Sequence, residues 1–191
     1  TEDHGQPDGE VIDGCSVYKA YRPTAGRPGL RFLHPRLTGL WRALRRARAD
    51  VYYSRAAGFV PGLLALLRRF QPLRYIYAGA NDADFLPGKE CARLARDRWL
   101  FRYGLRRADA IVVQNGIQRD LLKTHYGREG ILIPNFLDLE PRPLPEASRN
   151  EVLWVGRLMS LKRPLLFVEL ARRLPQLQFT MIGPPASGEA G

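Results

Sequence analysis

The chain has 191 residues, 45% hydrophobic and 26% charged, proportions that belong to a globular protein and exclude a disordered tail. Its apolar runs stop short of the ~18–20 residues needed to cross a bilayer; the longest, Phe59–Leu67, is closed by Arg68 and Arg69. The net charge of +11 admits nucleic acid, an anionic membrane or an anionic substrate as partner. However, 26 Arg against 4 Lys, scattered through the chain, is the skew of a GC-rich genome and not a basic tail.

The first fourteen residues are polar and acidic, unlike a secretory leader, and the chain does not begin with Met; the native start is expected to lie upstream. Cys15 and Cys91 have no metal-ligand spacing and read as free, buried or half-buried thiols, which suits a cytoplasmic protein. His4, His34 and His125 form no metal or triad pattern, and His34 and His125 read as surface residues.

In chain order, residues 11–20 read as a strand. Residues 35–48 read as a helix with Leu37, Leu40, Trp41 and Leu44 on one face. A short strand over 50–54, a helix over 59–70 and a strand over 73–78 follow, then a loop over 79–88. A long helix is expected over 89–107, a buried-type strand over 109–114, a helix over 116–126 and a strand over 130–134. Residues 138–150 carry three prolines and no apolar period, and read as a linker. The alternation then resumes with a strand at 151–155, a helix at 164–174 and a strand at 177–182. Strands alternating with helices predict an α/β protein with parallel sheets and right-handed crossovers. The linker predicts two Rossmann-like domains: residues 1–137 with about five strands, and the start of a second over 151–191. Two strands and one helix do not close a Rossmann core, so the second domain is expected to be incomplete.

Ligands of open α/β sheets bind beyond the carboxyl ends of the strands. The residues expected there are Asn81, Asp82 and Asp84 after the third strand, Asn115 after the fourth, Asn135 after the fifth, and Gly156 and Gly183 in the second domain. The sharpest pattern is VLWVGRLMSLKRP, residues 152–164. Gly156 lets backbone pass close to a ligand. Arg157, Lys162 and a helix amino terminus opened by Pro164 would together suit a diphosphate. A solvated basic loop before a helix is the competing reading of the same residues.

The strand–Gly-Arg-Leu–Lys stretch resembles the donor-diphosphate loop of family 4 glycosyltransferases, which have the GT-B architecture. Other segments resemble that family in its own order: ADAIVVQN (108–115), IPNFLD (133–138) and MIGPP (181–185). The resemblance spans residues 51–185. It implies retaining transfer of a sugar from a nucleotide-diphosphate sugar to a glycan or lipid-linked acceptor. Gly156, Arg157 and Lys162 would hold the donor phosphates, with no metal and no other cofactor. The first domain would bind the acceptor, with Asp82 and Asn81 as polar contacts near the reaction centre and Asp84, Asn115, Asn135 and Gly183 near the cleft. Carboxylates at 82 and 84 are equally readable as helix caps.

Two departures matter. The family's Gly-rich loop and the strand before it are absent, and so are its paired glutamates seven residues apart; after Pro164 the glutamates are Glu169 and Glu189. This segment alone is therefore expected to be inactive. The 35–48 helix sets Leu37, Leu40, Trp41 and Leu44 against Arg42, Arg45, Arg46 and Arg48, a pattern that would lie on anionic lipid at the inner membrane face or pack on a core. Competing functional readings are a GT-B epimerase or phosphorylase, an inactive copy, and a basic binding module. The last lacks any motif for specific nucleic-acid recognition.

Overall fold

The computed structural model describes residues 5, 7–22, 24–92, 94–136 and 151–184, without the side chain of residue 161. The linker expected over 138–150, together with His4 and Pro185, lies outside the described residues. The chain divides into two compact units, Thr1–Leu137 and Asp138–Gly191.

Unit 1 opens with a hairpin, strands β1 (Glu10–Ile12) and β2 (Cys15–Val17), paired antiparallel. This corrects the single strand expected over 11–20. Asp13 and Gly14 both have positive φ, 49° and 78°, and an Asp-Gly pair of this kind makes the tight turn that folds the run back on itself. The hairpin forms its own two-stranded sheet. It is tied to helix α1 (Thr38–Ala47) by Asp8, whose carboxylate pairs with Arg46 at 2.6 Å and accepts the Lys19 N–H at 3.1 Å. The chain crosses α1 at Gly39, where a Cβ would stand 2.0 Å from the Ala20 carbonyl oxygen.

The main sheet has four strands, not five: β3 (Val51–Arg55), β4 (Arg74–Ala78), β5 (Ala110–Val113) and β6 (Ile131–Leu132), parallel and in that order. Helix α2 (Val60–Leu67) joins β3 to β4, α3 (Ala95–Arg107) joins β4 to β5, and α4 (Gly116–Tyr126) joins β5 to β6. Alternation along the strands sends Tyr52, Tyr75, Tyr77, Ile111 and Val113 to one face. There they pack with Leu64 and Leu67 of α2, Phe101 and Leu105 of α3, and Leu122 of α4. On the opposite face Val51 and Tyr53 are exposed. A parallel sheet is normally covered on both faces; here the described helices supply one cover.

Helix α3 starts at Ala95, later than the expected residue 89, because 87–92 turn instead around Glu90. The buried Glu90 carboxylate takes the Gly88 N–H at 2.8 Å and the Arg102 guanidinium. Helices α2 and α3 meet backbone to backbone: a Cβ on Gly62 would lie 2.5 Å from the Leu100 carbonyl oxygen, and one on Gly104 would lie 2.2 Å from the Pro61 carbonyl carbon.

Unit 2 is a βαβ unit of β7 (Glu151–Val155), α5 (Pro164–Arg173) and β8 (Gln178–Ile182), the two strands parallel. Phe167 of α5 meets Trp154 of β7 at a tilt and Phe179 of β8 edge-on, while Leu153, Val155 and Ile182 are exposed.

Candidate functional site

The residues expected at the sheet's carboxyl edge fall into distinct structural roles. β4 runs into Gly79, where a Cβ would meet the Phe85 ring at 2.5 Å and the Gln118 Oε1 at 3.1 Å. Only glycine lets the chain turn there into the 3-10 turn Asp82–Phe85. Asn81 is the cap of that turn, its Oδ1 accepting the Ala83 N–H at 3.1 Å.

Asp84 is buried behind the loop, not open to a cleft. Its Oδ2 accepts the Tyr77 hydroxyl at 2.9 Å, the Ala80 N–H at 2.9 Å and the Asn81 N–H at 3.3 Å. Burial, with the Asp84 charge beside it, pushes the Tyr77 phenol well above its ordinary value, so Tyr77 stays protonated and donates to Asp84. Of the two carboxylates, Asp84 thus belongs to the capping arrangement and Asp82 does not.

Asp82 faces the next loop. Its Oδ1 accepts from the Asn115 side-chain amide at 3.3 Å, and Asn115 Oδ1 caps α4 by accepting the Gln118 N–H at 2.8 Å. Gln118, buried, closes the set through Oε1 to the Gln114 N–H at 2.9 Å. Asn81, Asp82 and Asn115 are therefore held together at the carboxyl ends of β4 and β5. Asn135 lies apart from them. It lines a hollow of about 220 Å³ with Tyr53, Arg55, Ala78, Val112 and Gln114, on the face away from the helices. Arg55 and Gln114 escaped the sequence reading, although each stands at or just past the end of a strand, the position from which they could have been found.

In unit 2 the loops after β7 and β8 are bonded to each other. Gly156 N–H donates to the Ile182 carbonyl at 3.0 Å, and Leu158 N–H to the Pro184 carbonyl at 3.0 Å. A Cβ on Gly183 would sit 1.6 Å from the Gly156 carbonyl oxygen, so no side chain fits there. At Gly156 a Cβ would stand 3.2 Å from the Trp154 ring. Arg157 and Lys162 are exposed, Lys162 at the end of the turn Ser160–Lys162. Arg163 adopts a left-handed conformation, φ 49°, before Pro164 opens α5, whose amino terminus receives no side-chain cap. Uncapped helix amides next to two exposed cations form an electropositive loop.

Neither cysteine is buried: Cys15 and Cys91 are free and exposed, which corrects their reading as interior thiols. Among the described residues no group of His, Cys, Asp or Glu is placed to hold a metal, and no helix is long and apolar enough to cross a membrane.

Comparison with known proteins bears on the fold and the family. Curated proteins give no sequence match, whereas twelve solved chains match in structure. One is TarM from S. aureus, crystallised as a mutant in complex with Fondaparinux, alpha-GlcNAc-glycerol and UDP. It superposes with a TM-score of 0.56 at 14% identity, over 81% of this chain and 32% of TarM. That likeness concerns the fold, and this chain spans about a third of TarM's length. In sequence, residues 1–135 match the glycosyl transferase 4-like domain. With that match over most of its length, and a parallel α/β sheet of the kind found in GT-B enzymes, the chain belongs to the glycosyl transferase 4-like family.

Proposed function

We propose that the chain carries parts of a retaining glycosyltransferase that moves a sugar from a nucleotide-diphosphate sugar to a glycan or lipid-linked acceptor at the cytoplasmic side of the membrane. Residues 1–137 form the acceptor domain, 138–150 a linker and 151–191 the start of the donor domain. The observation that carries the reading is the loop after β7. Glycines 156 and 183 pack backbone on backbone there, and exposed Arg157 and Lys162 precede an uncapped helix. Such a loop suits two linked phosphates, which accept amide hydrogen bonds and neutralise both cations.

In the reaction the bond from the anomeric carbon to the diphosphate breaks and one to an acceptor oxygen forms. The acceptor hydroxyl passes its proton to an oxygen of the departing diphosphate, and Arg157 and Lys162 stabilise the charge that develops there. No metal is required for that step. Asp82 and Asn81 would contact the reacting sugar or acceptor. Retention of configuration is carried over from the family resemblance, and TarM's capture with UDP supports a nucleotide donor.

The test is a titration of the chain with UDP, GDP and ADP without divalent cation, followed by phosphorus NMR. At least one nucleotide is expected to broaden, and the Arg157→Ala/Lys162→Ala double variant to lose at least tenfold in affinity. Binding unaffected by the double substitution would remove the donor-loop assignment. The 191-residue chain alone is expected to transfer no sugar, because the ribose- and base-binding parts of the family's donor site are missing from it; measurable transfer would refute this.

A further inference from the structure

The hollow beside Asn135 differs from the rest of the sheet's carboxyl edge in its polar bookkeeping. Asn81, Asp82, Asn115 and Gln118 direct their side chains at one another and at loop amides. In the hollow, the Tyr53 hydroxyl, the Arg55 guanidinium and the side-chain amides of Gln114 and Asn135 have no hydrogen-bond or ionic partner among the described residues. A few convergent polar groups among apolar walls are the ordinary make-up of a ligand site.

Strand register builds the hollow. Arg55, Ala78 and Val112 are direct cross-strand neighbours on β3, β4 and β5, on the face opposite the core. Adjacent strands lie ~4.8 Å apart, so Arg55 and Val112 stand about 10 Å apart across Ala78. Alanine at the middle of that row leaves a floor, buried at the bottom, and the larger side chains on either hand become walls. Tyr53, two residues before Arg55, shapes one wall, and Gln114, two residues after Val112, the other. Asn135 and Phe136 follow β6 along the rim. Tyr53 and Phe136 are 61% and 89% exposed, so both rings are open to a ligand.

The lining selects the ligand. At about 220 Å³ the hollow is smaller than the roughly 300–1,000 Å³ of sites for drug-sized molecules, and it takes one ring and not a nucleotide. Exposed aromatic rings suit the apolar C–H face of a pyranose. Two amides, each both donor and acceptor, suit its hydroxyls. No carboxylate lines the hollow, so the charge of Arg55 is unbalanced there. The planar guanidinium fork matches a pair of carboxylate or phosphate oxygens. A neutral sugar leaves that charge unpaired, and a free inorganic anion leaves the rings and amides unused. An acidic sugar satisfies all three.

We propose that this hollow binds one sugar ring carrying a carboxylate or phosphate, with the anionic group on Arg55, hydroxyls on Gln114 and Asn135, and the ring against Tyr53. Its role in transfer rests on the reading given above: the bound sugar is the acceptor's terminal residue, and Arg55 is the residue that selects an acidic acceptor.

The experiment is a ligand-observed NMR titration of the 191-residue chain with methyl glucuronide, glucose 6-phosphate, methyl glucoside, inorganic phosphate and UMP. At least one of the two acidic sugars is expected to bind at least tenfold more tightly than methyl glucoside or inorganic phosphate, and which one does so tells carboxylate from phosphate. Arg55→Gln is expected to lower that sugar to the affinity of methyl glucoside. Gln114→Ala is expected to weaken acidic and neutral sugars alike and leave inorganic phosphate unchanged. Neither side chain has a partner among the described residues, and circular dichroism checks that both variants fold. Binding of no acidic sugar, equal binding of acidic and neutral sugars, equal binding of inorganic phosphate, or binding indifferent to Arg55→Gln would each overturn the proposal. So would UMP binding more tightly than either acidic sugar and being lost in Arg55→Gln, since a nucleotide would then be the occupant. Nucleotide diphosphate binding at Arg157 and Lys162 separates the two readings. If it occurs and no acidic sugar binds, this inference fails and the transfer reading stands; if an acidic sugar binds at Arg55 without it, the hollow's assignment stands and the transfer reading fails.

Discussion

Asp84 and Glu90 are the buried carboxylates among the described residues, and each organises a loop. Asp84 accepts three hydrogen bonds from the turn that presents Asn81 and Asp82. Asp84→Ala would leave the Tyr77 hydroxyl and two amides without partners, at a cost of about 2–3 kcal/mol. Denaturant melts should record that loss, whereas Asp82→Ala, which gives up one long bond to Asn115, should change stability by less than about 1 kcal/mol.

Glu90 sets the acid response. Burial opposes its ionisation, but the hydrogen bonds from Arg102 and the Gly88 amide outweigh it and hold the carboxyl below its ordinary value. A carboxyl depressed on folding adds stability that is fully present above its unfolded value. That stability is lost as pH falls through the lower folded value. Glu90→Gln should therefore cost about 1–2 kcal/mol at neutral pH, the contribution being moderated by the partial exposure of Arg102. The gap between wild type and variant should close below the ordinary glutamate range. A gap constant from pH 7 to pH 3 would contradict this assignment. The neighbouring Tyr126 phenol, raised to about 12 mainly by burial and next by the Glu90 charge, stays neutral throughout.

At the scale of elements, the contact between α2 and α3 depends on two glycines. Gly104 lies against the Pro61 carbonyl, so Gly104→Ala forces two backbones apart. The overpacking should cost about 1–3 kcal/mol, or more if the helices cannot shift, and should be visible as a lowered denaturation midpoint. An unchanged midpoint would mean that α3 moves freely on α2. The corresponding contact in unit 2 is Gly183 on the Gly156 carbonyl, which aligns the two loops that the proposed diphosphate site requires. The sequence reading selected Gly156 and Gly183 for their place at strand ends. Gly62, Gly104 and Gly39 lie inside helices and give no periodic signal, because what demands a glycine there is a backbone from elsewhere in the chain.

At the scale of the whole molecule, the two units are unequally built. Unit 1 has Tyr75, Tyr77, Phe101, Leu105 and Val113 wholly inaccessible to solvent. No described residue of unit 2 reaches full burial, and Leu153, Val155 and Ile182 face water. Protection from hydrogen exchange follows buried contact density. Amides of β7 and β8 should therefore exchange at least about a hundredfold faster than those of β4 and β5 in peptide-resolved exchange, a gap of ~2.7 kcal/mol. Equal protection in the two units would show that unit 2 is covered by something beyond its own βαβ contacts.

The alternation of apolar runs was sufficient to find the elements of the main sheet and the βαβ unit, because period and length are properties of the local chain. The family was legible as well, since ADAIVVQN, IPNFLD, VGRL and MIGPP are contiguous strings. The run over 11–20 was misread although Asp13-Gly14 stood in it; a hairpin and a single strand share the same apolar content, and only turn chemistry separates them. Tertiary structure alone decided that Asp84 is a strut while Asp82 reaches Asn115, since the two carboxylates are two residues apart and differ only in what the fold brings near them. The same holds for the hollow at Arg55. The alternation along each strand is readable from spacing, but Arg55, Ala78 and Val112 become neighbours only through the register of three strands far apart in sequence.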